Sequence, residues 1–168
     1  MEVIRHTPSA ATPFSQLSDD VWVLNRPSKI GPIDLGHRMT VVRLASGGLW
    51  IHSPVALDDE VRGGLDSLGE AEYLIAPSMF HDLYWPAWFA AYPRARFCAA
   101  HGVCEEHPEL PFTDVLGANT PAPWSTDLGQ ALLGGMPKVN ETVFLHPASK
   151  TLIAADMAFN HDGNVDFA

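Results

Sequence analysis

The sequence predicts an α/β domain with a mixed sheet, and three observations carry that expectation. Two strand-like runs, residues 72–76 and 95–99, alternate with two helix-like runs, 58–68 and 82–91, an order that produces parallel pairing. Hairpin signals stand on either side: residues 39–45 and Leu49–His52 flank Ser46-Gly47-Gly48, and Thr142–His146 and residues 151–156 flank Pro147-Ala148-Ser149-Lys150. The 168 residues fit one domain, spanning 1–168, that can bury a core without disulfide or metal staples.

The elements follow in order. Residues 1–18, with Pro8, Pro13 and several hydroxyl side chains, read as an irregular N-terminal arm. Val21-Trp22-Val23-Leu24 is a short strand, followed by a turn-rich stretch with Pro27, Gly31, Pro32 and Gly36. In the first helix Val61, Leu65 and Leu68 fall at helical spacing, acids occupy the first turn, and Gly69 stands just past the end. Pro77 closes the strand at 72–76, and Pro86 is tolerable in the first turn of the second helix. Trp85, Trp88, Phe89 and Tyr92 recur at i, i+3, i+4 and i+7, a core stripe whose indole N–H groups need partners. Residues 101–124 are loop-like, with Pro108, Pro111, Pro121 and Pro123.

Composition excludes some functions. The formal net charge is −10 and the ten lysines and arginines form no cluster, so neither nucleic acid nor an anionic membrane is an expected partner. The first eleven residues hold no apolar signal-peptide core, and no run approaches the roughly 18 apolar residues of a membrane span. Five residues separate Cys98 from Cys104, which reads as two reduced thiols. A soluble, cytoplasmic protein is predicted.

Ligand sites in open α/β sheets lie at the carboxyl ends of strands. Here those ends carry His52-Ser53, residues 78–82, His101 and Asp156. Convergence on one edge would make His52, His81, Asp82 and Asp156 a set of metal-type ligands, with Ser53 and Ser78 as further pocket candidates. No G-x-S-x-G surrounds either serine, which argues against a serine hydrolase.

The ordered set of late hairpin ending in Asp156, early strand Leu49-Trp50-Ile51 before His52-Ser53-Pro54, and Leu74-Ile75-Ala76-Pro77-Ser78-Met79-Phe80-His81-Asp82 with Trp88 and Tyr92-Pro93 resembles metallo-β-lactamase-fold proteins over roughly residues 20–160. The resemblance implies an αββα sandwich with mixed sheets. It also implies that Asp156 stands where that superfamily has a metal-bridging aspartate. The departures weigh more. The family's hydrolases carry H-x-H-x-D-H after the central strand, because two cations need several imidazoles and carboxylates on one loop. This loop offers His81 and Asp82 alone, Gly135-Met136-Pro137 stands where a further family histidine precedes the hairpin, and the C-terminal strand–helix unit is missing by this comparison.

Each residue has two readings. His81 is a ligand or general base, or else a helix cap or a partner of a loop carbonyl. Asp82 is a ligand, or else an N-cap or first-turn acid that stabilises a helix by about 1 kcal/mol. Asp156 is a residual ligand or an anchor that accepts backbone N–H bonds. His52 is a ligand or a buried histidine bonded to the sheet backbone. His146 is excluded: six residues at about 3.3 Å rise put it on the order of 15–20 Å from Asp156. His101, Cys104 and His107 recur every three residues but have no fourth ligand for zinc. His161 and Asp162 fold over the site or belong to a tail.

The expectation is therefore a metallo-β-lactamase-like protein with a degenerate two-metal site, not a standard dinuclear hydrolase. No cofactor is expected, although His81, Asp82 and Asp156 leave room for a single zinc or iron ion. The alternatives are a single-metal hydrolase of an ester, thioester or phosphoester, and a binding or oligomerisation module. A small-molecule ligand and a homo-oligomer are the partners these readings allow.

Overall fold

A computed structural model describes residues 12–117 and 122–158. Seven strands form one sheet in the order β1-β2-β5-β6-β7-β8-β9. Strands β1 (Ser15–Ser18), β2 (Val21–Arg26), β5 (His37–Arg43) and β6 (Leu49–His52) pair antiparallel. From β6 onward, β7 (Ala71–Ala76), β8 (Arg96–Ala99) and β9 (Asp114–Val115) pair parallel. The parallel crossovers carry helices α1 (Asp59–Leu68), α2 (Trp85–Ala91) and α3 (Val103–Glu106). A second, antiparallel sheet orders β10 (Gly129–Leu132), β11 (Thr142–His146) and β12 (Thr151–Ile153), and a two-residue ladder joins β3 (Lys29–Ile30) to β4 (Ile33–Asp34). Among the described residues no helix is long and apolar enough to cross a membrane.

Strand alternation builds two cores from one sheet. Leu49, Ile51, Leu74 and Phe97 face Val61 and Leu65 of α1 and Trp85 and Trp88 of α2. Their neighbours Trp50, Tyr73, Ile75 and Cys98 face Trp124, Phe144 and Ile153 on the side of the three-stranded sheet. The layers are thus helix, sheet, sheet, in agreement with the predicted mixed α/β architecture. The outer face of the second sheet exposes Leu145 and Leu152, which pair directly across β11 and β12.

Local chemistry explains the elements. Asp58 caps α1, its Oδ1 accepting from Val61 N at 2.7 Å. Gly64 lets that helix press against the chain before β1, because a Cβ there would lie 2.8 Å from the Phe14 ring. Both expected indole partners exist: Trp85 Nε1 donates to the His81 carbonyl and Trp88 Nε1 to the Val55 carbonyl, each at 2.8 Å. Both cysteines are free thiols. Burial pushes the Cys98 thiol up to about 12, so it is inert.

Four boundaries differ from expectation. Phe14 is buried and Ser15–Ser18 form β1, so the end of the expected irregular arm is an edge strand; residues 1–11 lie outside the described part. The second helix starts at Trp85, not at residue 82, because Tyr84 takes a left-handed conformation (φ 69°) just before it. Asp82 is therefore not its cap. The stretch expected as loop contains α3 and β9. Strand β10 was not expected, since Gly129-Gln130-Ala131-Leu132 shows no alternation and owes its extended form to pairing with β11.

Replacing the α1 cap, Asp58→Ala, is expected to cost about 1 kcal/mol in urea melts without altering the fold; an unchanged midpoint would show that the cap is dispensable.

Candidate functional site

The site lies at the carboxyl ends of β6 and β7. At β6 the sheet passes from antiparallel to parallel pairing, and ligand sites in such sheets lie at the carboxyl ends of the strands. Ser53 follows β6 with φ 55°, a left-handed conformation that a serine adopts only under constraint. Its amide donates to the Ile75 carbonyl at 3.0 Å, which pins the turn to β7. His37, at the start of β5, reaches Ser53 from the neighbouring strand: its Nε2 is 2.9 Å from Ser53 Oγ and 3.1 Å from the Ser53 carbonyl. From the loop after β7, His81 Nδ1 lies 2.8 Å from the same Oγ. His81 Nε2 faces Asp156 Oδ1 at 3.6 Å, and Ser78 Oγ donates to Asp156 Oδ2. The two imidazoles meet edge to face, 5.1 Å between centroids.

Hydrogen counting fixes the direction of this chain. A carbonyl oxygen can only accept, so the His37 proton sits on Nε2. Ser53 Oγ accepts from it and donates its own hydrogen to His81 Nδ1. A neutral His81 then carries its proton on Nε2, aimed at Asp156. The reverse tautomer would strand the Ser53 hydroxyl hydrogen between two donors. The network thus runs His37, Ser53, His81, Asp156, with Ser78 closing the far end.

Asp156 is not itself the anchor of its loop. That part belongs to Glu141, just ahead of β11 and 1% exposed. Its carboxylate accepts the backbone N–H groups of Ala155 (2.7 Å), Asp156 (2.9 Å) and Met157 (2.7 Å). These bonds also explain why β12 stops at Ile153 and not at the expected residue 156: the amides turn to a side chain instead of a strand.

Electrostatics follow burial. Burial and the neighbouring His81 charge lower the His37 pKa to about 4, against a smaller opposing pull from the Ser53 backbone. Burial lowers that of His52 to about 3, helped by the His81 and His37 charges. Burial raises the Asp156 pKa, but the close approach and charge of His81, with the Ser78 hydrogen bond, outweigh it and leave the carboxyl below its ordinary value.

His81, Asp156, Ser53 and Ser78 thus come together, whereas Asp82 and His52 do not join them. The Asp82 carboxylate lies 3.1 Å from His107 Nε2, a contact outside the network. His52 projects from β6 into the second core, stacked on Trp50 at 5.6 Å and edge-on to Phe144 at 5.7 Å. Neither of its ring nitrogens has a hydrogen-bond partner among the described residues, so the expected bond to the sheet backbone is not made. Among the described residues His101 and Cys104 belong to no group of three or more metal-type side chains, and His146 Nδ1 lies 2.7 Å from Ser149 Oγ beside its turn. His161 and Asp162 lie outside the described residues. Sequence reasoning missed His37 and Glu141. The hairpin register pairs Thr40 with His52, so the start of β5 must lie at the end of β6; that signal could have found His37. No local pattern marks Glu141.

A helix layer on a large mixed sheet backed by a second sheet is the arrangement of a metallo-β-lactamase-like fold. The fold is similar to that of DIM-1 metallo-β-lactamase exposed to ceftazidime, with TM-score 0.70 and 14% identity over 90% of this chain and 72% of that one. It is also similar to metallo-β-lactamases from Hirschia baltica (TM-score 0.64, 14% identity, 83% and 68% covered) and Pontibacter korlensis (0.62, 12%, 83% and 68%). By sequence, the chain belongs to the family described as a domain of unknown function, DUF4336, whose family model matches residues 18–165. No curated protein matches it.

Two tests follow from the site. Glu141→Leu leaves three amides unpaired and is expected to cost about 3–5 kcal/mol, against a smaller loss for Glu141→Gln, both read from denaturant melts; equal, small losses would deny the clamp. His37 and His52 are neutral when folded, with pKa values depressed from 6.5 to about 4 and about 3. The unfolded chain therefore binds more protons below pH 6.5, so stability is complete above that value and falls as pH drops toward 4. Tm should decline over that window, and His52→Leu should make the decline shallower; a parallel slope would remove His52 as a cause.

Proposed function

We propose that this metallo-β-lactamase-like protein is not a dinuclear hydrolase, and that its polar centre is a metal-independent relay of His37, Ser53, His81 and Asp156. The observation that supports this most directly is the proton count at Ser53. The short bonds to His37 and His81 are jointly satisfied when the His81 proton is on Nε2 facing Asp156, the atom a cation would otherwise need as a free lone pair. The ligand supply points the same way: among the described residues no group of three or more His, Cys, Asp or Glu side chains is arranged to hold a metal ion.

Chemically the relay is an acid–base device. Asp156 holds His81 in one tautomer, and His81 in turn polarises the Ser53 hydroxyl. His37 presents a fixed N–H from the opposite side. Such a centre can bind a small polar molecule or move a proton to and from it, without a Lewis acid.

Elemental analysis of protein purified without added metal, paired with long-range 15N–1H NMR of the histidines, tests the reading. Zinc and iron well below one ion per chain, with His81 protonated on Nε2, are expected. Two retained ions per chain would overturn it. One ion per chain, lost in His81→Ala, would replace it with a single-metal hydrolase of an ester, thioester or phosphoester.

A further inference from the structure

Ser53 combines three features that catalysis by a serine requires, in a chain without a serine-hydrolase motif. It stands on a sharp turn at the carboxyl end of a strand, with φ 55°. Its Oγ is 2.8 Å from an imidazole nitrogen whose partner nitrogen faces a carboxylate at 3.6 Å. A second imidazole, His37, holds an N–H 2.9 Å from the same oxygen. We propose that Ser53 is a nucleophile for acyl transfer, with His81 as its base, Asp156 orienting His81, and His37 donating to the developing oxyanion. The inference rests on the relay described above, specifically on the Nε2 proton of His81.

The reaction balances without a metal or a redox partner. The Ser53 hydroxyl proton passes to His81 Nδ1 as Oγ bonds to the acyl carbon of an ester or thioester. The carbon–oxygen or carbon–sulfur bond then breaks, and the leaving group takes that proton from His81. Water repeats the exchange, releasing the carboxylic acid and restoring the Ser53 hydroxyl. The His37 N–H lies beside Oγ throughout, close to where the carbonyl oxygen of a tetrahedral adduct would form.

The surroundings specify the acyl group. Phe80, Leu83, Tyr84 and Met157 are exposed apolar side chains on the two loops that carry His81 and Asp156. The Tyr84 ring lies 6.2 Å from that of His37. An apolar acyl chain would cover these side chains, whereas an anionic one would leave them in water and be repelled by the Asp156 carboxylate. The substrate class is therefore an ester or thioester of an apolar acid. Ser53 is itself 1% exposed, beneath the half-buried His37, so the acyl carbon approaches past that ring.

Covalent labelling measures this directly. Chelator-treated full-length protein is incubated with an alkyl fluorophosphonate, which forms a phosphorus–oxygen bond to an activated serine and releases fluoride. Intact mass and peptide mass spectrometry follow. One adduct per chain on Ser53 is expected, none in Ser53→Ala, and labelling at least about tenfold slower in His81→Gln, each variant checked by its melting curve. Wild-type protein left unlabelled at Ser53, an adduct on Ser78 instead, or an unchanged rate in a folded His81→Gln variant would overturn the proposal. If Ser53 is unreactive while NMR finds the His81 proton on Nε2, the nucleophile is wrong and the relay stands. If that proton is on Nδ1, the relay itself fails.

Discussion

The buried Glu141 carboxylate is the constraint on which the site depends. A charge taken out of water is tolerated only when its oxygens are saturated with donors, and here three consecutive amides, from Ala155 to Met157, supply them. The same short segment reaches the other way: the Thr142 amide bonds the Pro77 carbonyl, and the Met79 amide bonds the Val139 carbonyl, each at 2.9 Å. Residues 139–142 therefore lock the loop after β7 to the loop after β12. That lock, together with the Ser78 bond to Asp156, holds His81 and Asp156 at a fixed spacing although they come from different sheets.

Pleating then decides which polar residues take part. His52 and Ser53 are neighbours at the end of β6, yet one residue of difference sends them to opposite surroundings. His52, still within the ladder, enters the aromatic core of Trp50 and Phe144. Ser53, turned by its left-handed backbone, joins the two imidazoles. Desolvation keeps His52 neutral in that core, and the price is two ring nitrogens without partners among the described residues.

The chemistry of the site follows from how few ionisable arms reach it. In a dinuclear hydrolase, cations organise the water and stabilise the charge that develops. In this chain one loop contributes one imidazole, the start of β5 another, and the loop after the late hairpin one carboxylate. Serine hydroxyls fill the positions between them, Ser53 bridging the histidines and Ser78 holding Asp156. A hydroxyl both donates and accepts, so it can connect two imidazoles into a directed chain, which a further ionised group could not do in so buried a place.

The sequence by itself determined the architecture and half of the site. Periodicity and turn chemistry are local, so α1, the Ser46-Gly47-Gly48 hairpin and the alternation through β7 and β8 were all readable, and with them the strand ends that carry His81, Asp156, Ser53 and Ser78. Tertiary structure decided the remainder. Asp82 could be separated from His81 only by the left-handed Tyr84 and the pairing with His107, and Glu141 acquires its meaning from amides 14 to 16 residues away. The physical reason is range. A side chain's neighbours in sequence set its backbone conformation, but its protonation state and its partners are set by whatever the fold brings within 3 Å.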